Sequence, residues 1–223
     1  MSVLATAGKA ISQHPVGGEE RWVIPGASWN DYQTLARLLP ATFRLAYDGS
    51  NLEMMVTGTL HEDYADTLDA FFKAVAGALN IPFKPYGSAT WDYPEVERGI
   101  QADRCYYLDP AKIKAGYRGR ARKSNKNKDY PAPDLAIEVD ISRPKADRES
   151  IYAALRVLEI WVFDGKRVKI SRLGKTGRYR RVERSGFLPL RAARITPWVL
   201  DPQPAGYDEW IQRIRSWARE TLG

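Results

Sequence analysis

The chain has 223 residues, 44% apolar and 27% charged, ordinary values for a globular protein able to bury a sizeable core. A single cysteine, Cys105, excludes an intrachain disulfide, and together with two histidines, His14 and His61, it cannot supply the four ligands of a structural zinc site. No run of about 18 apolar residues exists to span a membrane, and a net charge of +7 points only weakly to a polyanionic partner. The opening MSVLATAGKAISQHP has too short an apolar run for a signal peptide, so a cytoplasmic, reducing location and no membrane partner are expected.

Residues 1–20, with small side chains and Gly17-Gly18, read as a flexible N-terminal arm. Residues 21–223 read as one domain. Residues 22–25 are a short apolar stretch. Ser28 is a plausible N-cap for a helix carrying Trp29, Tyr32, Leu35, Ala36 and Leu39, stopped by Pro40. Two β-like runs, 43–47 and 52–56, are joined by Asp48-Gly49 and predict a hairpin. Tyr64, Thr67, Leu68, Phe71, Phe72, Val75 and Leu79 predict one face of a long helix, with Pro82 just past its end. Strands are expected at 83–93 and 100–108, then a polar basic loop over 109–133. A strong strand at 135–141, a helix at 147–156 and strands at 160–163 and 168–173 follow. Residues 178–200 read as irregular β. A closing amphipathic helix is expected at 207–222, with Trp210, Ile211, Ile214 and Trp217.

The segment DLAIEVDI, residues 134–141, carries the most chemical information. Strand alternation puts Leu135, Ile137, Val139 and Ile141 on one face and Asp134, Ala136, Glu138 and Asp140 on the other. A row of carboxylates is costly to bury without a cation, and a hard divalent metal is a natural partner. The plainer alternative is a solvated face on a half-exposed strand. Asp103 lies inside a β-like run, where acids are disfavoured; it suits either a second metal-binding strand or a turn beside Arg104. His61-Glu62 opens the long helix, where a glutamate already suits the helix dipole and a lone histidine is expected to be exposed. Lys112, Lys114, Arg118, Arg120, Arg122, Lys123, Lys126 and Lys128 occur with no acid among residues 111–128. They carry a charge of +8, which makes the rest of the chain almost neutral. Such a loop either tracks a phosphate backbone or merely keeps the chain soluble.

These segments together resemble the Uma-type endonuclease family, a large bacterial branch of the PD-(D/E)XK, restriction-endonuclease-like superfamily. The resemblance is carried by PDLAIEV followed by DRESIYAALRVLEIWVFDG, with FRLAYDGSNLEMM, LHEDYADTL, YGSATWDYPEVERGIQADRCYYL and Phe187-Leu-Pro-Leu in the expected order, over roughly residues 22–200. It implies an α/β (α+β) fold with a restriction-endonuclease-like core: a mixed central sheet of four to six strands flanked by helices. It implies that Asp103 is the aspartate of the PD half-motif, with Ala102 in place of proline, and that Glu138 is the acid of the (D/E)XK half-motif. Glu62 is similar to the first-helix glutamate that many members add to the metal site. Asp140 stands where the motif's lysine is expected, so the cationic role passes to Arg148 first, or to Lys145 or Lys84.

The activity expected from the resemblance is hydrolysis of DNA phosphodiester bonds, with RNA as a further possible substrate and a homodimer as a possible assembly. Mg²⁺ or Mn²⁺ would be held by Asp103, Glu138 and the carbonyl of Val139, with the eight cations of residues 112–128 on the nucleic acid. The alternatives are a catalytically degenerate nucleic-acid-binding module on the same fold, and a protein-interaction module using the closing helix.

Overall fold

The computed structural model describes residues 11–12, 18–121, 130–203 and 205–223. Two six-stranded sheets organise it. The first contains β1 (Ile11–Ser12), β2 (Glu20–Pro25), β3 (Phe43–Tyr47), β4 (Asn51–Val56), β6 (Thr90–Tyr93) and β7 (Arg98–Gln101), in the order β1-β2-β4-β3-β7-β6 with every pair antiparallel. The second contains β5 (Lys84–Tyr86), β8 (Arg104–Tyr107), β9 (Leu135–Val139), β10 (Glu159–Phe163), β11 (Val168–Leu173) and β12 (Tyr179–Val182), in the order β12-β11-β10-β9-β8-β5. Only β9 and β10 run parallel, joined by the crossover helix α4 (Arg148–Ala154). The chain is thus α+β with a mixed sheet, as expected, but the expected single central sheet is two. The N-terminal hairpin and its neighbours build a sheet of their own.

Local signals account for most elements. α1 (Trp29–Leu38) starts at a capping box in which Ser28 and Asp31 satisfy each other's backbone N–H. The β3–β4 turn uses Gly49 at φ +95°, with the Asp48 carboxylate accepting from the amides of Ser50 and Asn51. α2 (Thr59–Ala78) lays Leu68, Phe71, Phe72 and Val75 against Leu135, Ile137 and Val139 of β9, and it packs also on α6 (Tyr207–Leu222) and on the helix at residues 192–199. Trp210 is 1% exposed and Ile214 fully buried, so the closing helix docks into the core. Burying such side chains stabilises by about 1.5–3 kcal/mol each.

Five expectations need correction. The strand expected at 83–93 is β5 and β6, and the one at 100–108 is β7 and β8; in each case the two halves belong to different sheets. The second break falls at Ala102-Asp103, where the chain passes from one sheet to the other. The basic segment is not a loop up to residue 121, because α3 (Pro110–Ala121) occupies it. Pro110 begins the helix and the Asp109 carboxylate accepts from the amides of Ala111 and Lys112. Residues 178–200 hold β12 and a helix, α5 (Ala192–Val199), rather than irregular β. Finally, the expected arm reaches less far: β1 pairs with β2, and Glu19 is 1% exposed.

Candidate active site

The site forms where the two sheets meet. β8 and β9 pair antiparallel, with Arg104 opposite Ile137. One step further along that register, Asp103 stands opposite Glu138, and opposed residues project from the same face. Both are 1% exposed. From the first sheet, Arg21 on β2 and Arg44 on β3 both pair with Met55 of β4, and Glu53 lies two residues away on the same strand. Period-2 alternation therefore puts Arg21, Arg44 and Glu53 on one face. α4 adds Arg148 and Tyr152 from the side.

The contacts interlock. Asp103 accepts from the Val139 amide at Oδ2 (2.8 Å), and its Oδ1 meets Arg44 Nη1 and lies 3.0 Å from His61 Nε2. Glu138 accepts from Arg148 Nη1 at Oε2 (2.5 Å) and from the Tyr152 hydroxyl at Oε1. Arg148 also pairs with Asp140 (3.0 Å) and with Glu53 (3.4 Å). Arg21 pairs with Glu53 (2.6 Å), Glu19 (3.2 Å) and Asp140 (3.3 Å), and its Nε donates to Ser142 Oγ (2.6 Å). His61 Nδ1 lies 2.6 Å from Glu19 Oε1.

Electrostatics follow from burial and partner. Burial pushes the Glu19 carboxyl up, but hydrogen bonds from His61 and Ser142 and the charge of Arg21 outweigh it and hold the group at about 2. Burial lowers His61, which keeps the ring neutral; a proton on Nδ1 then serves the ionised Glu19 and leaves Nε2 to accept from Arg44 Nη1 at 3.3 Å. Burial raises Glu138 and Asp140, against the pull of Arg148 on both. Arg148 itself is driven up, since Asp140, Glu138 and Glu53 together overcome its own desolvation.

Asp103, Glu138, Asp140 and Arg148 are thus brought into one constellation. Glu62 sits at its rim: its Oε1 accepts from Arg44 Nη2 and Thr57 Oγ1, both at 2.7 Å, and its side chain is 42% exposed. Asp134 does not join. It lies at the opposite end of β9, where Oδ2 accepts from the amides of Leu108 and Asp109 and Oδ1 pairs with Lys112, so it serves as an anchor for α3. Lys84 lies on β5, over the rings of Tyr86 and Tyr117, and Lys145 meets the site only through its backbone amide, which donates to Glu53. His61, expected exposed, is fully buried. Lys112, Lys114, Arg118 and Arg120 ride on α3 at the β5–β8 edge, whereas Arg122, Lys123, Lys126 and Lys128 lie outside the described residues.

Sequence reasoning missed Glu19, Arg21, Arg44, Glu53, Ser142 and Tyr152, and it considered His61 only as an exposed residue. For Arg44 and Glu53 a signal was present, a charge inside a β-like run, the same signal that marked Asp103.

Among the described residues no three His, Cys, Asp or Glu side chains converge as a ready metal cluster. The donor chemistry nonetheless fits a hard cation. Six carboxylates (Glu19, Glu53, Glu62, Asp103, Glu138, Asp140) face three guanidiniums (Arg21, Arg44, Arg148), an excess of negative charge around oxygen ligands.

A scan of protein-family models matches residues 29–201 to a family described as "Uma2: Putative restriction endonuclease". A search among curated proteins finds no match. Among solved structures the chain is similar to "a putative nuclease belonging to DUF820" from Anabaena variabilis. The two are 13% identical, with a TM-score of 0.46, over 78% of this chain and 99% of that one. No helix among the described residues is long and apolar enough to cross a membrane. The family match runs from α1 to just past α5 and encloses Glu53, Asp103, Glu138 and Arg148, so the chain belongs to this nuclease family of restriction-endonuclease type.

Proposed function

We propose that the chain is an endonuclease that hydrolyses DNA phosphodiester bonds with Mg²⁺ or Mn²⁺. The observation that carries this reading is the opposition of two buried carboxylates, Asp103 and Glu138, on neighbouring strands inside a site where acids outnumber guanidiniums. Asp103, Glu138 and the carbonyl of Val139 would hold the metal, which when bound polarises a phosphoryl oxygen and acidifies a water molecule. The protein's own groups do the rest. Arg148 is held by Glu138, Asp140 and Glu53, a cation fixed in place at the acid pair and suited to steadying negative charge on the transferred phosphoryl group. Tyr152 fixes Glu138, and the Val139 amide with Arg44 fixes Asp103.

The test is cleavage of supercoiled plasmid by wild type and by Glu138→Gln, a change that keeps the side chain's size. Wild-type nicking that depends on Mn²⁺ or Mg²⁺ and falls at least a hundredfold in the folded variant is expected; equal nicking by the two overturns the assignment.

One observation favours a second reading, a nucleic-acid-binding module without catalysis. Every carboxylate oxygen of Asp103 and Glu138 already has a protein partner, and two of those partners are arginines. Calorimetry separates the two: Mn²⁺ binding lost in Glu138→Gln supports the enzyme, and DNA binding with no Mn²⁺ binding supports the module.

A further inference from the structure

Positive charge is not confined to α3. Residues 165–200 contain eleven Lys and Arg and one acid, Glu183, a larger excess than that of residues 111–128. The two segments together carry +18, which leaves −11 for the remainder. The second segment builds β11, β12 and α5, and β12 is the outermost strand of the second sheet, at the opposite edge from β5 and α3.

The cations there differ in their pairing. Arg172 and Arg191 lie 3.6 and 3.2 Å from Glu159 and Glu183. Lys175, Arg178, Arg180, Arg181 and Arg184 are exposed and make no ion pair with any described residue. They run along the outer strand and its two flanks. A cavity of about 520 Å³ opens at the end of that strand, with Arg167, Lys169, Arg181 and Arg191 in its wall. On the side of α4, a second cavity, about 690 Å³, has Arg156 and Arg178 but also Asp147 and Glu149 in its wall. The unpaired cations are thus confined to the outer strand and its flanks, and the charge is balanced where Arg178 faces α4.

We infer that the β11–β12 edge is a docking surface for the phosphate backbone of nucleic acid, with Lys175, Arg178, Arg180, Arg181 and Arg184 as its contacts. This deepens the nuclease reading and rests on it. Unpaired cations along an outermost strand fit a linear polyanion: alternation puts Arg180 on one face of β12 and Arg181 on the other, so together they straddle the edge, and each arginine's planar fork takes a phosphate bidentately. Position supports it as well. β12 lies three strands from β9, about 14 Å at the usual strand spacing, which is about four nucleotides of one strand at ~3.4 Å each. A backbone seated on the edge thus reaches Glu138 within a few nucleotides.

The experiment is fluorescence anisotropy of a short labelled DNA duplex in EDTA, titrated with salt, using the full chain. Wild type is compared with Arg178→Gln/Arg180→Gln/Arg181→Gln, which removes no ion pair and so keeps the wild-type melting temperature. The expected result is at least tenfold weaker binding and a log K against log [salt] slope smaller by about 2–3, since each lost phosphate contact removes about 0.9. An unchanged affinity and slope overturns the inference and makes these arginines a guard against edge-to-edge pairing. Tighter binding to anionic phospholipid vesicles than to the duplex, lost in the same variant, also overturns it. Failure of the nuclease reading is distinguishable, because Glu138→Gln then nicks like wild type whatever the slopes are. Wild type that binds no duplex overturns the inference and leaves the nuclease reading to the plasmid assay.

Discussion

Arg21 is 1% exposed, with Glu53, Glu19, Asp140 and Ser142 around its guanidinium. A buried ion cluster adds little net stability over an apolar one, but removing its cation strands the acids. Arg21→Met is therefore expected to cost about 3–5 kcal/mol, read from urea denaturation at pH 7; a loss below 1 kcal/mol would mean the acids find other partners. Glu19 gives a pH signature. Its carboxyl stands at about 2 in the fold against an ordinary 4.5, so its contribution is complete above pH 4.5 and is lost as pH falls toward 2. That contribution is roughly 3 kcal/mol. Glu138 and Asp140, raised by burial, work in the opposite sense, so the acid limb of the wild type alone does not isolate Glu19. The stability difference between wild type and Glu19→Gln does isolate it: it should shrink steadily from pH 5 to pH 2, and a difference that stays constant would contradict the assignment.

α3 shows how an element can be hidden from periodicity. Its buried positions include Gly116 and Gly119, which carry no side chain to mark an apolar face. Both are required by close approach. A Cβ at Gly116 would meet Tyr86 Oη at 2.5 Å and the Tyr107 ring at 2.9 Å, and one at Gly119 would meet the Tyr130 ring at 2.6 Å. Gly116→Ala gains up to about 1 kcal/mol of helix propensity yet overpacks against two rings, which costs about 1–3 kcal/mol. A lower melting temperature is expected, and a higher one would show that the tyrosines move aside. The long helices, the β3–β4 hairpin and β9 were legible because caps, turn chemistry and apolar spacing agree there. Asp103, Glu138 and Asp140 were legible as acids inside β-like runs, and Arg148 only through the family resemblance. The other half of the constellation was not. Arg21, Arg44 and Glu53 come from a sheet that a single-sheet expectation leaves out, and Arg21 reaches Ser142 across 121 residues while Glu53 reaches Arg148 across 95. Local spacing carries no information over that separation.

At the scale of the molecule, charge is separated in a way the net value of +7 conceals. The acids cluster where β8 and β9 meet the first sheet, while cations line both edges of the second sheet, on α3 beside β5 and along β12. An acidic site flanked by two basic edges suits a backbone held on both sides of the acid pair. Five strand spacings separate β12 from β5, about 24 Å, beyond the ~10 Å within which exposed charges interact at ordinary ionic strength. The two edges should therefore act independently on DNA. Combining Lys114→Gln/Arg118→Gln/Arg120→Gln on α3 with Arg178→Gln/Arg180→Gln/Arg181→Gln on β12 is expected to reduce the salt slope by the sum of the two separate reductions, and log K likewise. The check is the same anisotropy titration on the four proteins of the cycle. A combined loss no greater than that of one edge alone would mean that the nucleic acid touches one edge only, and that the other serves solubility.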